Sequence, residues 1–346
     1  MSEADNTDHV EIAFSDTDDA TKPILGVATV AHLVAAAARE GVSHVAIILP
    51  DGRLPGNAAD DVTRAAGPAR VVYRNSYRNS SQIRTARAFT PESLTRKRLL
   101  QATSKPSDGF VSRWINRPVS QAISGFLLRI PGVRPWHATA AVGIVAALMF
   151  LSLLRGDYAG LIAGALLFQT ASVLDGVDGE IARATYRSSE WGAMLDTTVD
   201  MATNAGFFIG VTVCLTALYG RAQALAGCGA VALLIAGLLT MRMMAVRQGD
   251  PSNFNFLKRF YRERFPTGVA SAITESLVFV TSRDFFALAT AVAIVLGLGW
   301  VVPFGLLFFA AIWLGFILLA VRPILRKGSS SAMATPMTVN DGISSV

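Results

Sequence analysis

Four aspartates lie in one stretch, LDGVDGEIARATYRSSEWGAMLDTTVD, residues 174–200: Asp175, Asp178, Asp196 and Asp200. The stretch closes one apolar run and opens the next. A charged aspartate at the centre of a membrane helix costs about 2.5–3.5 kcal/mol on insertion scales, so four of them call for a purpose. At 100° per residue, Asp175 and Asp178 lie about 60° apart on one helix face, and Gly179 and Ala182 fall on the same face. On the next helix Gly192, Asp196 and Asp200 step by four and stack along one face. A short connection makes the two helices antiparallel neighbours, so four carboxylates can converge on one small volume. Carboxylates so placed repel one another unless a cation sits between them. Hard oxygen ligands select Mg²⁺, Mn²⁺ or Ca²⁺ over zinc. Two such ions about 3.5–4 Å apart are a known device for displacement at phosphorus. Gly179 and Ala182 let a phosphate-bearing ligand approach the backbone closely. Arg183, one turn past Gly179, can reach a phosphate or pair with a carboxylate. Any one of these aspartates could be a helix cap; the whole set in register points to a site. Glu180 falls off the face and reads as a solvated interfacial charge, and Glu190 as a loop residue.

The elements that must position these residues read as a membrane protein. The chain has 346 residues and a net charge of +6, with 52% hydrophobic and 16% charged residues. Its mean hydropathy is +0.43. Such a balance excludes an intrinsically disordered chain and argues against a single soluble domain. Residues 1–137 carry 17 Lys/Arg and 13 Asp/Glu, whereas residues 138–346 carry only 14 and 12. A charged front part therefore precedes a membrane-like back part. Six apolar runs have about the length a bilayer needs: 137–154, 158–178, 192–219, 222–246, 285–302 and 304–321. Basic residues gather on one side, from Arg183 and Arg187 through Lys258, Arg259, Arg262 and Arg264 to Arg322, Arg326 and Lys327. Only Arg155 and Arg221 fall on the other. That bias predicts both termini and the aspartate cluster on the cytoplasmic side of a multi-pass protein. The first 20 residues are acidic and have no apolar core of a signal peptide, which agrees. Cys214 and Cys228 fall in apolar stretches and read as small buried hydrophobes, with no disulfide or metal-ligand spacing.

Ahead of the first run, Phe110, Trp114, Ala122, Phe126 and Ile130 form one row, and Val111, Ile115, Val119, Ile123 and Leu127 a second. Together they make one helical face. Arg113, Asn116, Arg117, Ser120, Gln121 and Ser124 lie opposite. This predicts an amphipathic helix in the membrane interface, restarted near Pro118. Residues 84–134 hold ten Lys/Arg against two acids. The excess suits anionic lipid headgroups, and Arg113 and Arg117 are candidates for a phosphate-bearing substrate. The aromatic and basic run FNFLKRFYRERFPTG reads as an interfacial anchor rather than a nucleic-acid surface.

The spacing D-x2-D-G-x2-A-R-x8-G-x3-D-x3-D, met by Asp175, Asp178, Gly179, Ala182, Arg183, Gly192, Asp196 and Asp200, resembles the signature of the CDP-alcohol phosphotransferases (CDP-alcohol phosphatidyltransferases). The resemblance covers about residues 105–325. It implies an integral membrane transferase that moves a phospho-alcohol unit from a CDP-linked donor, CDP-diacylglycerol or a soluble CDP-alcohol, to a second alcohol and releases CMP. By the same resemblance Asp175, Asp178 and Asp196 hold divalent ions, Mg²⁺ or Mn²⁺ and two in number. Asp200 ligates metal and takes the acceptor's proton, and Gly179, Ala182 and Arg183 line the CDP site. Members often carry P-N-x-x-T at the start of the first span; here PWHAT keeps Pro135 and Thr139 and has His137 shifted, where it reads as an interfacial residue or one that touches substrate. Family members are commonly homodimers.

Residues 1–75 read as a small cytoplasmic α/β domain, with strand, helix, strand, helix and strand between residues 9 and 75 and a parallel sheet. The run PILGVATVAHLVAAAAREGVSHVAIIL is similar to the early part of sugar and alditol-phosphate nucleotidyltransferases. The loop after its first strand, SDTDDATKP, is acidic and has no glycine, so the domain reads as a degenerate form without cytidylyltransferase activity. Residues 76–106 read as a linker, 107–327 as the membrane transferase domain and 328–346 as a disordered tail. The front domain and the run DGFVSRWINRPVS resemble the branch of the family that handles inositol phosphate or related polar alcohols, in which the acceptor can itself carry a phosphate. The competing reading is a catalytically inactive membrane scaffold that presents the front domain. A transporter is disfavoured because the aspartate cluster has no second copy.

Overall fold

The structure, a computed structural model, describes residues 9–75, 94–105, 109–247, 261 and 282–332. Most of the expected linker, all but Tyr261 of the aromatic and basic run (with Lys258, Arg259, Arg262 and Arg264), and the chain from residue 333 lie outside the described residues. Backbone packing divides the chain into two compact units, residues 1–145 with 170–202 and residues 146–169 with 203–346.

The first unit opens with a small α/β region. Strands β1 (His9–Ala13), β4 (His44–Leu49) and β5 (Arg70–Asn75) form a parallel sheet in the order β1-β4-β5. His44 stands opposite both His9 and Arg70. The central strand HVAIIL is a near-continuous apolar run, as a strand covered on both sides must be. Helix α1 (Thr17–Thr21) occupies the acidic loop, with Asp16 capping the Asp18 amide. Helix α2 (Thr29–Arg39) buries eight of its residues, which its alanines allow. It ends before Gly41, whose φ of 85° suits glycine. Helix α3 (Gly56–Ala66) buries only Ala58, Val62, Ala65 and Ala66, one stripe.

Between α1 and α2 runs a two-residue hairpin, β2 (Pro23–Ile24) and β3 (Val27–Ala28). Its central residues Leu25 and Gly26 both have positive φ, 53° and 74°, as a tight hairpin of this hand requires. Leu25 is buried nonetheless. Its side chain joins Leu100, Leu128, Val177, Ile181 and Ala184, so the hairpin tip is held by the helices that follow.

Those helices are α4 (Arg96–Gln101), a π-helical turn (Ser112–Asn116) running into α5 (Arg117–Leu127), and the start of α6 (Pro135–Leu154). The π turn sits just before Pro118, whose missing N–H and bulky ring exclude a regular helical bond there. The α5 segment carries its apolar residues outward: Phe110, Trp114, Val119, Phe126 and Ile130 are exposed. Its polar residues Asn116, Arg117, Ser120 and Ser124 are buried, as is Val111. Glu180 explains the inversion. Instead of a solvated charge it is fully buried on α7 (Tyr158–Ala184). Arg117 Nη1 donates to it at 2.9 Å, and the Ser120 and Ser124 hydroxyls each donate at 2.6 Å. A Cβ at Gly176 would lie 2.9 Å from that guanidinium, so glycine there leaves the space the pair occupies.

Five helices among the described residues are long and apolar enough to cross a membrane. They are α6, α7, α8 (Glu190–Tyr219), α9 (Arg221–Arg247) and the stretch Gly299–Val321, most of it in α11 (Val302–Ala332). Over the run 285–302 the described chain forms a 13-residue helix, α10 (Arg283–Val295), closed by Gly297 at φ 78°, and then a short 3-10 turn (Gly299–Val301). Glu190, read as a loop residue, opens α8, and α11 continues through Ala332 into the expected tail. In the second unit small residues allow close helix crossings. A Cβ at Gly237 would fall 2.2 Å from the Trp313 ring, and one at Gly210 2.9 Å from Leu153. Phe168 and Phe207 stack at 3.8 Å in its core. Cys214 is buried there as expected, whereas Cys228 is exposed on α9. Exposed Ile144, Leu148, Leu151, Leu225 and Leu239 give these helices apolar outer faces that suit lipid.

Candidate active site

Asp178 is buried on α7 and its carboxylate is fixed from two sides. Thr139 Oγ1 donates to Oδ2 at 2.7 Å, and the Gly179 amide donates to Oδ1. Thr139 lies in the first turns of α6, which gives the kept threonine of PWHAT a physical task. His137 is exposed and accepts the Arg134 amide at 3.0 Å, closing the start of the helix. Asp196, on α8, lies close enough to Asp178 and Asp175 for their charges to act on it. Two carboxylates so placed repel one another while both are ionised, so a proton or a cation belongs between them.

Asp178, Gly179, Ala182, Arg183, Gly192 and Asp196 line one cavity of about 550 Å³, a size suited to a small-molecule ligand. Arg183 lies back across its own helix, with Nε donating to the Thr103 carbonyl at 2.6 Å. A Cβ at Gly179 would stand 2.9 Å from its Nη1, so the small residue makes room for the guanidinium. Ser189 caps α8, accepting the Gly192 amide at 3.1 Å, and the helix N-terminus adds its partial positive charge to the cavity wall. Asp175 and Asp200 do not line the cavity. Each stands about one turn further from the α7–α8 connection than Asp178 and Asp196.

Among the described residues no three His, Cys, Asp or Glu side chains form a group able to hold an ion. The expected convergence of four carboxylates is thus drawn together here at Asp178 and Asp196, with Asp175 nearby. The donor chemistry fits the divalent ion that the aspartate pattern implies: two apposed carboxylates offer only hard oxygen.

The cations of this cavity were not all foreseen. Besides Arg183 it is lined by Arg64, Lys105, Arg134 and Arg187. Arg113, singled out from the sequence, is exposed and does not line it, and Arg117 is taken up by Glu180. Arg187 and Arg134 flank the pattern closely enough to be suspected. Arg64 and Lys105 come from distant parts of the chain, and no local spacing announces them.

With this geometry established, the chain can be placed by comparison. The pattern of the CDP-alcohol phosphatidyltransferase family matches residues 137–321, more than half of the sequence, and the chain belongs to that family. The family is generally dependent on divalent metal ions. Apolar helices and family together mark an integral membrane protein. The chain is also similar to proteins named bifunctional IPC transferase and DIPP synthase. Identity is 36% over 122 residues with that of Thermococcus kodakarensis, covering 34% of this chain and 27% of the relative. It is 35% over 127 residues with that of Aquifex aeolicus, again 34% and 27%. With that of Rubrobacter xylanophilus it is 37% over 144 residues, covering 40% and 32%. The match thus takes in about a third or less of each relative's length.

Proposed function

We propose that this protein transfers a phospho-alcohol group from a CDP-alcohol to the hydroxyl of a second, polar alcohol and releases CMP. The observation that carries the reading is the single cavity in which Asp178 and Asp196 meet Gly179, Ala182, Arg183 and Gly192 of the family pattern. In this reading Asp175, Asp178, Asp196 and Asp200 hold two Mg²⁺ or Mn²⁺ ions, whose charge offsets that of the donor's pyrophosphate. Gly179 and Ala182 let the cytidine phosphates lie against α7. Arg183 donates to a phosphate oxygen while the Thr103 carbonyl holds its Nε. Thr139 and the Gly179 amide keep the Asp178 carboxylate turned in one direction. Asp200 takes the proton as the acceptor oxygen bonds to phosphorus and the bond to CMP breaks.

The relatives' shared name and the cations Lys105, Arg134 and Arg187 support an acceptor that carries a phosphate of its own, in synthesis of a polar or lipid phosphodiester. We further read the π turn and α5 as lying in the membrane interface, with apolar residues in lipid and the Arg117–Glu180 pair turned to protein. The α/β region is then a cytoplasmic, degenerate nucleotidyltransferase-like domain that makes no CDP-alcohol; the segment after its first strand carries Asp16, Asp18 and Asp19, whose charge would repel a triphosphate. Six spans, cytoplasmic termini and a homodimer complete the reading.

The test is CMP release by the purified full chain in detergent with Mg²⁺. CDP-diacylglycerol and CDP-inositol are offered in turn, each with plain and phosphorylated alcohols, and Asp200→Asn is the control. Release that needs both metal and Asp200 is the expected result, and the product mass names the acceptor. A wild-type protein that binds neither metal nor CDP-alcohol leaves the inactive-scaffold alternative.

A further inference from the structure

The α/β region does more than flank the cavity. Its helix α3 contributes Arg64 to the cavity wall, beside Lys105, Arg134 and Arg187. Two contacts hold this arginine in register. Asp61, three residues earlier on α3, pairs with its guanidinium. Asp61 is itself anchored, because its other oxygen accepts the Ala28 amide at 3.0 Å. The pair engages one of five N–H donors on the guanidinium, and Arg64 remains about one-third exposed.

The α/β region is also fixed to the connection that bears the family pattern. Tyr186, two residues beyond Ala184, packs against the α/β core. Its hydroxyl donates to His32 Nδ1 at 2.9 Å, while His32 Nε2 donates to the Ile24 carbonyl at 2.8 Å. Tyr186 has a φ of 55°, a conformation a tyrosine keeps only when its surroundings dictate it. The buried Leu25 tip is a second anchor. Arg64 is therefore held against the same connection that carries Arg183, Arg187 and Gly192.

The geometry points to Arg64 as a specificity-determining residue: the α/β region completes the cavity with a guanidinium that recognises the phosphate of a phosphorylated polyol acceptor. The assignment rests on the transferase reading for the word acceptor, but the binding it predicts can be measured without turnover. An arginine suits the position because its fork can hold Asp61 and a phosphate oxygen at once, which an ammonium does poorly.

The experiment is calorimetric binding to the purified full chain with Mg²⁺ and CDP present. The probes are myo-inositol 1-phosphate and glycerol 3-phosphate, each against its unphosphorylated parent. Wild type is compared with Arg64→Gln, Arg64→Lys and Arg70→Gln; the last removes an exposed charge of the same region outside the cavity. Wild type is expected to favour a phosphorylated probe. Arg64→Gln should weaken that binding by about tenfold, the usual scale of a charge-assisted hydrogen bond, with CDP affinity unchanged. Arg64→Lys should restore part of it, and Arg70→Gln should match wild type. The assignment is overturned if wild type binds neither phosphorylated probe better than its parent, if Arg64→Gln changes nothing, or if it weakens CDP and the polyol phosphate alike. If the binding pattern holds but no donor yields CMP, the transferase reading fails and the Arg64 assignment stands.

Discussion

Asp178 and Glu180 stand two residues apart on α7, and their surroundings divide them. Glu180 has no exposure, and Arg117, Ser120 and Ser124 all donate to it. Its charge is matched in place. Asp178 accepts from Thr139 and from the Gly179 amide, faces a second carboxylate, and lines a cavity. An acid in a membrane helix is thus no sign of chemistry by itself. The acid whose charge the protein already matches holds the fold; the acid set against its own kind waits for a cation.

The contrast is broken most severely by Asp196→Asn. Even a partner one shell removed from a metal costs about 10–100-fold when lost, so CMP release should fall by more than about 100-fold. The unfolding midpoint should stay level or rise, because one of two repelling carboxylates is gone. A drop in stability to match the drop in rate would put Asp196 with Glu180 instead. Arg117→Ala attacks the other side of the comparison. It leaves Glu180 buried without its cation, which costs about 3–5 kcal/mol. Thermal unfolding in detergent should show a fall of several degrees, and the Arg117→Ala/Glu180→Ala pair should lose less than the single changes summed.

The His32–Tyr186 contact sharpens the picture through pH. Burial pushes His32 below its ordinary value of 6.5. Burial pushes Tyr186 up to about 12. The unfolded chain therefore takes a proton on His32 that the folded site refuses, so this contribution is lost as pH falls below about 6.5. On the alkaline side the unfolded Tyr186 ionises near pH 10 while the folded one does not, so stability falls again from there toward 12. Unfolding midpoints measured from pH 5 to 8 should rise through the His32 window in wild type and rise less in His32→Gln. The smallest effect belongs to Arg155, whose hydrogen bond holds the Asp157 carboxyl below its usual range. The pair is exposed and Arg155→Ala should leave the unfolding midpoint unchanged; a clear drop would mean that this loop is covered in an assembly.

Much of this was legible from local spacing. The steps of three and four at Asp175, Asp178, Asp196 and Asp200 put them on facing helices, and the alternation of strand and helix in residues 9–75 yields a parallel sheet. What local spacing cannot carry is partnership across the chain. The polar row Asn116, Arg117, Ser120 and Ser124 reads from spacing only as the face of an interfacial helix opposite its apolar side. In a chain whose outer medium is lipid, such a row turns inward as readily, and Glu180, some sixty residues on, completes it. Arg64 was invisible for the same reason, since only the docking of α3 brings it to the cavity. In the run 285–302, apolar content suggests one span, whereas among the described residues α10 ends at Val295 ahead of Gly297, and composition alone does not announce that stop.

The Asp178–Asp196 cavity, in the proposed reaction, takes divalent ions beside a cytidine nucleotide. Titration of Mn²⁺ into the purified protein with CDP present, followed by electron paramagnetic resonance, reads this without substrate turnover. Two bound ions per chain are predicted, with that binding lost in Asp178→Asn/Asp196→Asn while the variant keeps its fold. Binding that is absent in wild type, or undiminished in the double variant, would contradict the account.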